Sequence, residues 1–156
     1  MTIFDVLRRE TQESLRLLRE LTEGLRLTDG LRPGAAARER VLEQVRVQIE
    51  SLNRVEEALL YPLLVNDPRT YARTLASVQE NREIEDLLDD LLRLPPRDER
   101  HDLLVELLSE RFSQHAEREE HELLAEAEQR VPRERAEPLG RHAVHRKLEL
   151  EVELRA

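Results

Sequence analysis

His115 and Glu119 lie four residues apart in the run from Phe112 to Leu123, FSQHAEREEHEL, and on a helix that spacing sets both on one face. The same face carries Leu104, Leu108, Phe112 and Leu123, so an imidazole and a carboxylate interrupt a stripe that is otherwise apolar. A core-facing helix tolerates such groups only when each finds a partner, because burying them unpaired is costly. Two arrangements satisfy them: a metal site whose ligands project into a bundle core, or a set of side chains that hydrogen-bond one another.

The chain around this stretch reads as one all-helical domain. Leu, Glu, Arg and Ala dominate, glycines number only four, and 39% hydrophobic residues stand against 38% charged. Thr2 followed by Asp5 resembles a capping box and opens a helix from Ile3 to about Leu25. Its stripe is Phe4, Leu7, Leu18, Leu21 and Leu25, with Thr11 and Ser14 in the middle. Residues 28–34, TDGLRPG, form a loop on their turn chemistry. A second helix, from about Ala35 to Leu64, carries Leu42, Val45, Ile49, Leu52, Glu56, Leu59 and Leu63. Glu56 is the lone acid on that stripe, and Pro62 predicts a kink or a loosened last turn. Asp67-Pro68 starts a third helix reaching about Leu94, with Tyr71, Leu75, Val78, Asn81, Ile84, Leu88 and Leu91 inward. Beyond Pro95 and Pro96 a fourth runs from about Asp98 to Arg130. Helices of similar length joined by short loops pack as an up-down-up-down antiparallel four-helix bundle over residues 1–130, leaving 131–156 as a C-terminal extension. Helix midpoints then share one layer, and Thr11, Glu56, Asn81, His115 and Glu119 all lie near it.

Charge and composition remove several functions. A net charge of −9 without a basic run or aromatic platform argues against nucleic acid. The longest apolar run, Ala58 to Val65, is broken by Pro62 and too short for a membrane span, and Asp5 stands too early for a signal peptide. A cytoplasmic protein is expected. With no cysteine there are no disulfides, thiolate zinc sites or cysteine nucleophiles. No serine or threonine has a base and oxyanion partner, and no glycine-rich phosphate loop is present, so nothing supports a classical enzyme.

The residues also carry a family resemblance. Glu56-Glu57-Ala58-Leu59-Leu60-Tyr61-Pro62 and His115-Ala116-Glu117-Arg118-Glu119 resemble the second and fourth helix elements of the hemerythrin-like, or HHE cation-binding, family, over roughly residues 3 to 125. That resemblance implies a four-helix bundle that, as a family, holds two irons between its helices. Its pattern places a histidine in helix one, His-x-x-x-Glu running into Tyr-Pro in helix two, a histidine in helix three and His-x-x-x-Glu in helix four. Where it expects further histidines this chain has Thr11, Leu52 and Asn81, leaving Glu56, His115 and Glu119 as the remnant metal positions. Imidazole suits iron, threonine and asparagine offer weak neutral oxygens, and leucine offers none, so di-iron chemistry does not carry over.

Two function classes follow. One is a non-enzymatic hemerythrin-like bundle with a degenerate di-iron site and no cofactor, acting as a structural, regulatory or interaction protein. Its Glu56, His115 and Glu119 would form a buried ionic cluster, the imidazole protonated between acids with Asn81 and Thr11 completing the donors. The other binds a single divalent ion, iron, manganese or zinc, through those three residues, as a sensor or minor oxidase. His101 and His121 read as surface residues, His142 and His145 as part of a solvated helix, and Glu117 to Glu122 as a solvated face around Glu119.

The tail is ambiguous. Leu139 to Lys147 continues as a short helix, but Leu148, Leu150, Val152 and Leu154 alternate with Glu149, Glu151 and Glu153. A helix splits the four into Leu148 with Val152 and Leu150 with Leu154, whereas a strand gathers them on one face. Either form predicts a homodimer contact, as a two-stranded ribbon or as a helix covered on both sides.

Overall fold

In the computed structural model, which describes residues 1–26 and 35–156, Thr2 and Asp5 cap the first helix reciprocally. The Thr2 N–H donates to Asp5 Oδ2 at 2.9 Å and the Asp5 N–H to Thr2 Oγ1 at 3.2 Å. Helix α1 (Ile3–Arg26) buries Phe4, Leu7, Leu18 and Leu21 as expected. The turn expected over 28–34 and the Leu25 side chain lie outside the described residues. Helix α2 (Ala35–Val55) buries Leu42, Val45, Ile49 and Leu52. It then widens into a π-turn, Glu56–Leu60, and closes with the short α3 (Tyr61–Leu64).

Pro62 accounts for that widening. It has no N–H to return to the preceding turn, and the Tyr61 N–H bonds instead to the carbonyl of Glu56, five residues back. One extra residue in the turn shifts the buried face, so that Leu60, Tyr61 and Leu64 are inward where Leu59 and Leu63 were expected.

Helix α4 (Tyr71–Arg93) starts later than Asp67, because Asp67 makes a turn that accepts from the Arg69, Thr70 and Tyr71 amides. Its inner face is Thr74, Ser77, Asn81, Ile84, Leu88 and Leu91. Tyr71 and Leu75, expected inside, are exposed at 50% and 46%. At the start of α4 the core accepts small hydroxyl residues instead, and the Thr74 hydroxyl is satisfied by the carbonyl of Thr70 at 2.7 Å.

Asp98 caps α5 (Glu99–Arg118), which passes through a second π-turn, Glu119–Leu124, into α6 (Ala125–Arg130). His101, expected at the surface, is 2% exposed because it sits one helical turn before Val105 and so begins the buried stripe. Leu104 is only half-buried.

The tail is one helix, α7 (Arg133–Arg155), and not a short helix followed by a ribbon. No strand occurs among the described residues. Leu150 is buried and Leu154 half-buried, while Leu148 and Val152 are exposed at 58% and 73%, which is the split that helical geometry requires. Helix α7 packs on α1 and α2, α1 on α2 and α5, and α5 on α4, so five long rods share one apolar core.

Candidate metal centre

Each π-turn begins with a buried glutamate: Glu56 opens the first and Glu119 the second. In a π-turn, residues five apart stack along the axis, whereas in an α-helix they point well away from each other. That brings Tyr61 over Glu56, and its hydroxyl donates to Glu56 Oε2 at 2.6 Å while lying 3.2 Å from Glu119 Oε2. Asn81, from α4, donates through Nδ2 to the Tyr61 oxygen at 3.0 Å.

His115 completes the group from α5. Its Nε2 lies 3.0 Å from Glu119 Oε2 and its Nδ1 2.9 Å from Glu80 Oε1. Glu80 is in turn held by Arg73 at 2.6 Å and Arg118 at 2.9 Å. Donor atoms of Glu56, His115 and Glu119 all fall within 4.8 Å of one another. The side chain of His115 faces inward, in reach of Glu119, as the shared helix face requires.

Charge is distributed unevenly over this cluster. Burial and the adjacent Glu119 carboxylate push Glu56 well above the usual carboxylate range. Burial pushes Glu119 the same way, but hydrogen bonds from Glu56 and His115 outweigh it and bring it down to about 2. Burial alone would discharge His115, yet its bonds to Glu119 and Glu80 raise it to about 9. Without an ion the site therefore holds an imidazolium between two carboxylates, and a proton on Glu56. Burial, with the nearby Glu119 carboxylate, keeps Tyr61 a phenol in that state.

A cavity of about 610 Å³ opens onto the cluster between α1 and α5, and Thr11, Leu15, Leu52, Phe112 and Leu124 line it beside Glu56, His115 and Glu119. Thr11 and Leu52 thus stand beside the three remnant positions, where they add a neutral hydroxyl and an apolar wall. Asn81 reaches the group only through Tyr61, and its Oδ1 has no hydrogen-bond partner among the described residues.

Two members escape a reading by α-helical stripes. Tyr61 belongs to the quoted Tyr-Pro run, but its inward direction follows from the π-turn, for which Pro62 is the available signal. Glu80 lies off the apolar stripe beside Asn81, and nothing in its spacing marks it. His121, His142 and His145 are exposed, as expected.

The family model described as the Hemerythrin HHE cation binding domain matches residues 2–149, well past residue 125. Among solved structures, a hemerythrin HHE cation-binding domain-containing protein from Mycobacterium kansasii is similar with a TM-score of 0.82 at 18% identity. The match covers 98% of this chain and 89% of that one, and at this identity it speaks to the fold alone. No curated protein sequence is significantly similar.

Proposed function

Because the chain belongs to the hemerythrin HHE cation-binding domain family, we propose that it is a member reduced to one ion, a non-enzymatic bundle holding a single divalent cation between Glu56, His115 and Glu119. In this reading the four rods other than α7 run up-down-up-down around the site, α7 is an added extension, and the protein works in the cytoplasm as a homodimer. Iron, manganese and zinc all accept one imidazole and two carboxylates.

A di-iron centre does not fit these residues. Leu52 supplies no donor, Thr11 supplies a neutral hydroxyl, and Asn81 offers only a neutral carbonyl oxygen where a histidine would be needed. A single ion does fit. The observation that carries the reading is geometric: Glu56, His115 and Glu119, all buried, each bring a ligand atom to within 4.8 Å of the others, and burial beside Glu119 favours a proton on Glu56. A cation held there would replace that proton and the Nε2 proton of His115, both released to solvent, leaving a neutral imidazole and two carboxylates as its donors. A bound ion would supply Lewis acidity and, for iron or manganese, redox chemistry. The chain's own part is to aim His115 through Glu80, to hold Glu56 and Glu119 opposite it, and to keep water to the Thr11 side.

A second reading is favoured by the hydrogen bonds from Tyr61 and His115, which already satisfy much of the cluster. The site would then be a closed ionic lock, and the protein would act through its surface. Metal analysis of protein purified without chelator separates the two. The first expects about one ion per chain, lost in His115→Ala and Glu119→Gln; a metal-free parent that also fails to take up added iron, manganese or zinc overturns it.

A further inference from the structure

We propose that Arg8 is a positioning residue for the buried cluster: by gripping Glu120 and Glu128 together from α1, it fixes where the second π-turn falls and keeps Glu119 stacked on His115. The Arg8 Nε–H donates to Glu120 Oε1 and Oε2 at 3.0 and 2.9 Å. Its terminal nitrogens donate to Glu128 Oε2 and Oε1 at 2.8 and 3.1 Å. Among the described residues Arg8 has no hydrogen bond to Glu56, His115 or Glu119, so it acts on them only through the backbone between Glu119 and Glu128. Each pair is partly exposed and adds little stability alone, but two carboxylates forked on one guanidinium fix a geometry.

The first π-turn has Pro62 to impose it, and the second, Glu119–Leu124, contains no proline. Something outside the helix must hold it. On an α-helix, residues eight apart are separated by about 80° around the axis, so Glu120 and Glu128 would turn away from each other. The extra residue of a π-turn removes most of that angle and brings both carboxylates round to the α1 side. The double grip of Arg8 therefore requires the extra residue to fall between Glu120 and Glu128, where the Ala125 N–H reaches back to the Glu120 carbonyl.

The same placement serves the cluster. The Glu119 N–H still bonds to the His115 carbonyl, so the helix is α up to that point and the two residues, four apart, stack with Nε2 3.0 Å from Oε2. An extra residue one turn earlier would stack residues five apart instead, which places Glu120 over His115 and swings Glu119 off it. Because positions 119 and 120 are both glutamate, either register offers the imidazole a carboxylate. Arg8 decides between them. It takes Glu120 for itself, and a π-turn moved upstream would pull Glu120 and Glu128 out of line.

The grip acts in the metal-free chain, so its test needs no ion and stands apart from the single-cation reading. Amide exchange and the ring nitrogens of His115 are followed by NMR in the full chain. In Arg8→Gln the amides of residues 119–125 should exchange about tenfold faster or more, and the His115 ring signals should move although no bond joins that ring to Arg8. Arg8→Lys should behave like Arg8→Gln, since one ammonium cannot hold two carboxylates in a fork. Arg16→Gln, which removes a comparable pairing with Glu13 and Glu20 inside α1, should leave both readouts as in the parent. Parent-like exchange and ring signals in Arg8→Gln, with only a lower denaturation midpoint, would make Arg8 an ordinary surface pair and overturn the proposal. Full rescue by lysine overturns it as well. Should Arg8→Gln fail to fold, the milder Glu128→Gln decides: it too must quicken exchange over residues 119–125, and parent-like exchange there sinks the idea.

Discussion

Glu56 and Glu119 are chemically identical side chains that one neighbour makes different. His115 touches Glu119, so Glu119 is the anion, and Glu56 keeps the proton. Glu56→Gln copies the protonated acid in shape and still offers Tyr61 an acceptor. In the metal-free protein it should change unfolding free energy by less than about 1 kcal/mol while abolishing stoichiometric metal binding. A loss of several kcal/mol in chemical denaturation would mean that Glu56 is ionised there. pH dependence follows from the same assignments. The raised pKa of His115 contributes stability fully below about pH 6.5, and that contribution disappears as pH rises through about 9. Glu56, also raised, acts in the same direction, and Glu119 in the opposite one, its contribution being lost only as pH falls from 4.5 through about 2. Denaturation midpoints of the metal-free chain should fall between pH 6.5 and 9, and a flat profile would contradict the buried imidazolium. His115, Glu119 and Glu56 were legible in the sequence because polar residues on apolar stripes are conspicuous. Tyr61 and Glu80 were not, since one depends on a π-turn and the other reaches in from beside its stripe.

Helical periodicity found the rods but not their faults. It assumes 3.6 residues per turn, so it named Leu59 and Leu63 as core where the π-turn turns Leu60 and Leu64 inward. Pro62 announced a disturbance without saying which kind. No proline marks the second π-turn, where the Ala125 N–H reaches back to Glu120, and Arg8 binds Glu120 within it and Glu128 in α6 beyond it. Helix α7 shows why its position was hard to read. Its charged outer face hides a close approach at Gly140, where an added Cβ would lie 2.8 Å from the Thr2 carbonyl carbon and closer still to the Met1 carbonyl oxygen. Backbone cannot retreat as a flexible side chain can. Gly140→Ala should therefore destabilise the protein by roughly 1–3 kcal/mol despite the better helix propensity of alanine, read as a lower denaturation midpoint. An unchanged or raised midpoint would mean that α7 sits farther from the N-terminus.

Lys147, the chain's one lysine, fastens α7 to the rest of the molecule, binding Glu10 of α1 at 3.1 Å, Gln48 of α2 at 2.9 Å and Glu151 at 2.8 Å. A charge so buried is tolerated because it is paired on several sides, and it faces the core that Leu150 also enters. The opposite side of α7 presents Leu148 and Val152 to solvent, one turn apart, with Met1 also exposed. We expect two copies of the chain to bury this stripe against each other. Light scattering should give a dimer for the parent and a monomer for the Leu148→Glu, Val152→Glu double variant; a monomeric parent removes the idea. No helix among the described residues is long and apolar enough to cross a membrane. The whole arrangement of rods serves one small polar volume, and the account depends on what fills it. Anomalous diffraction from crystals of the chain grown with iron or manganese tests this most directly. One peak per chain, within coordination distance of Glu56, His115 and Glu119, is the predicted result; two peaks spanning toward Thr11 and Leu52, or no peak between these side chains, would contradict it.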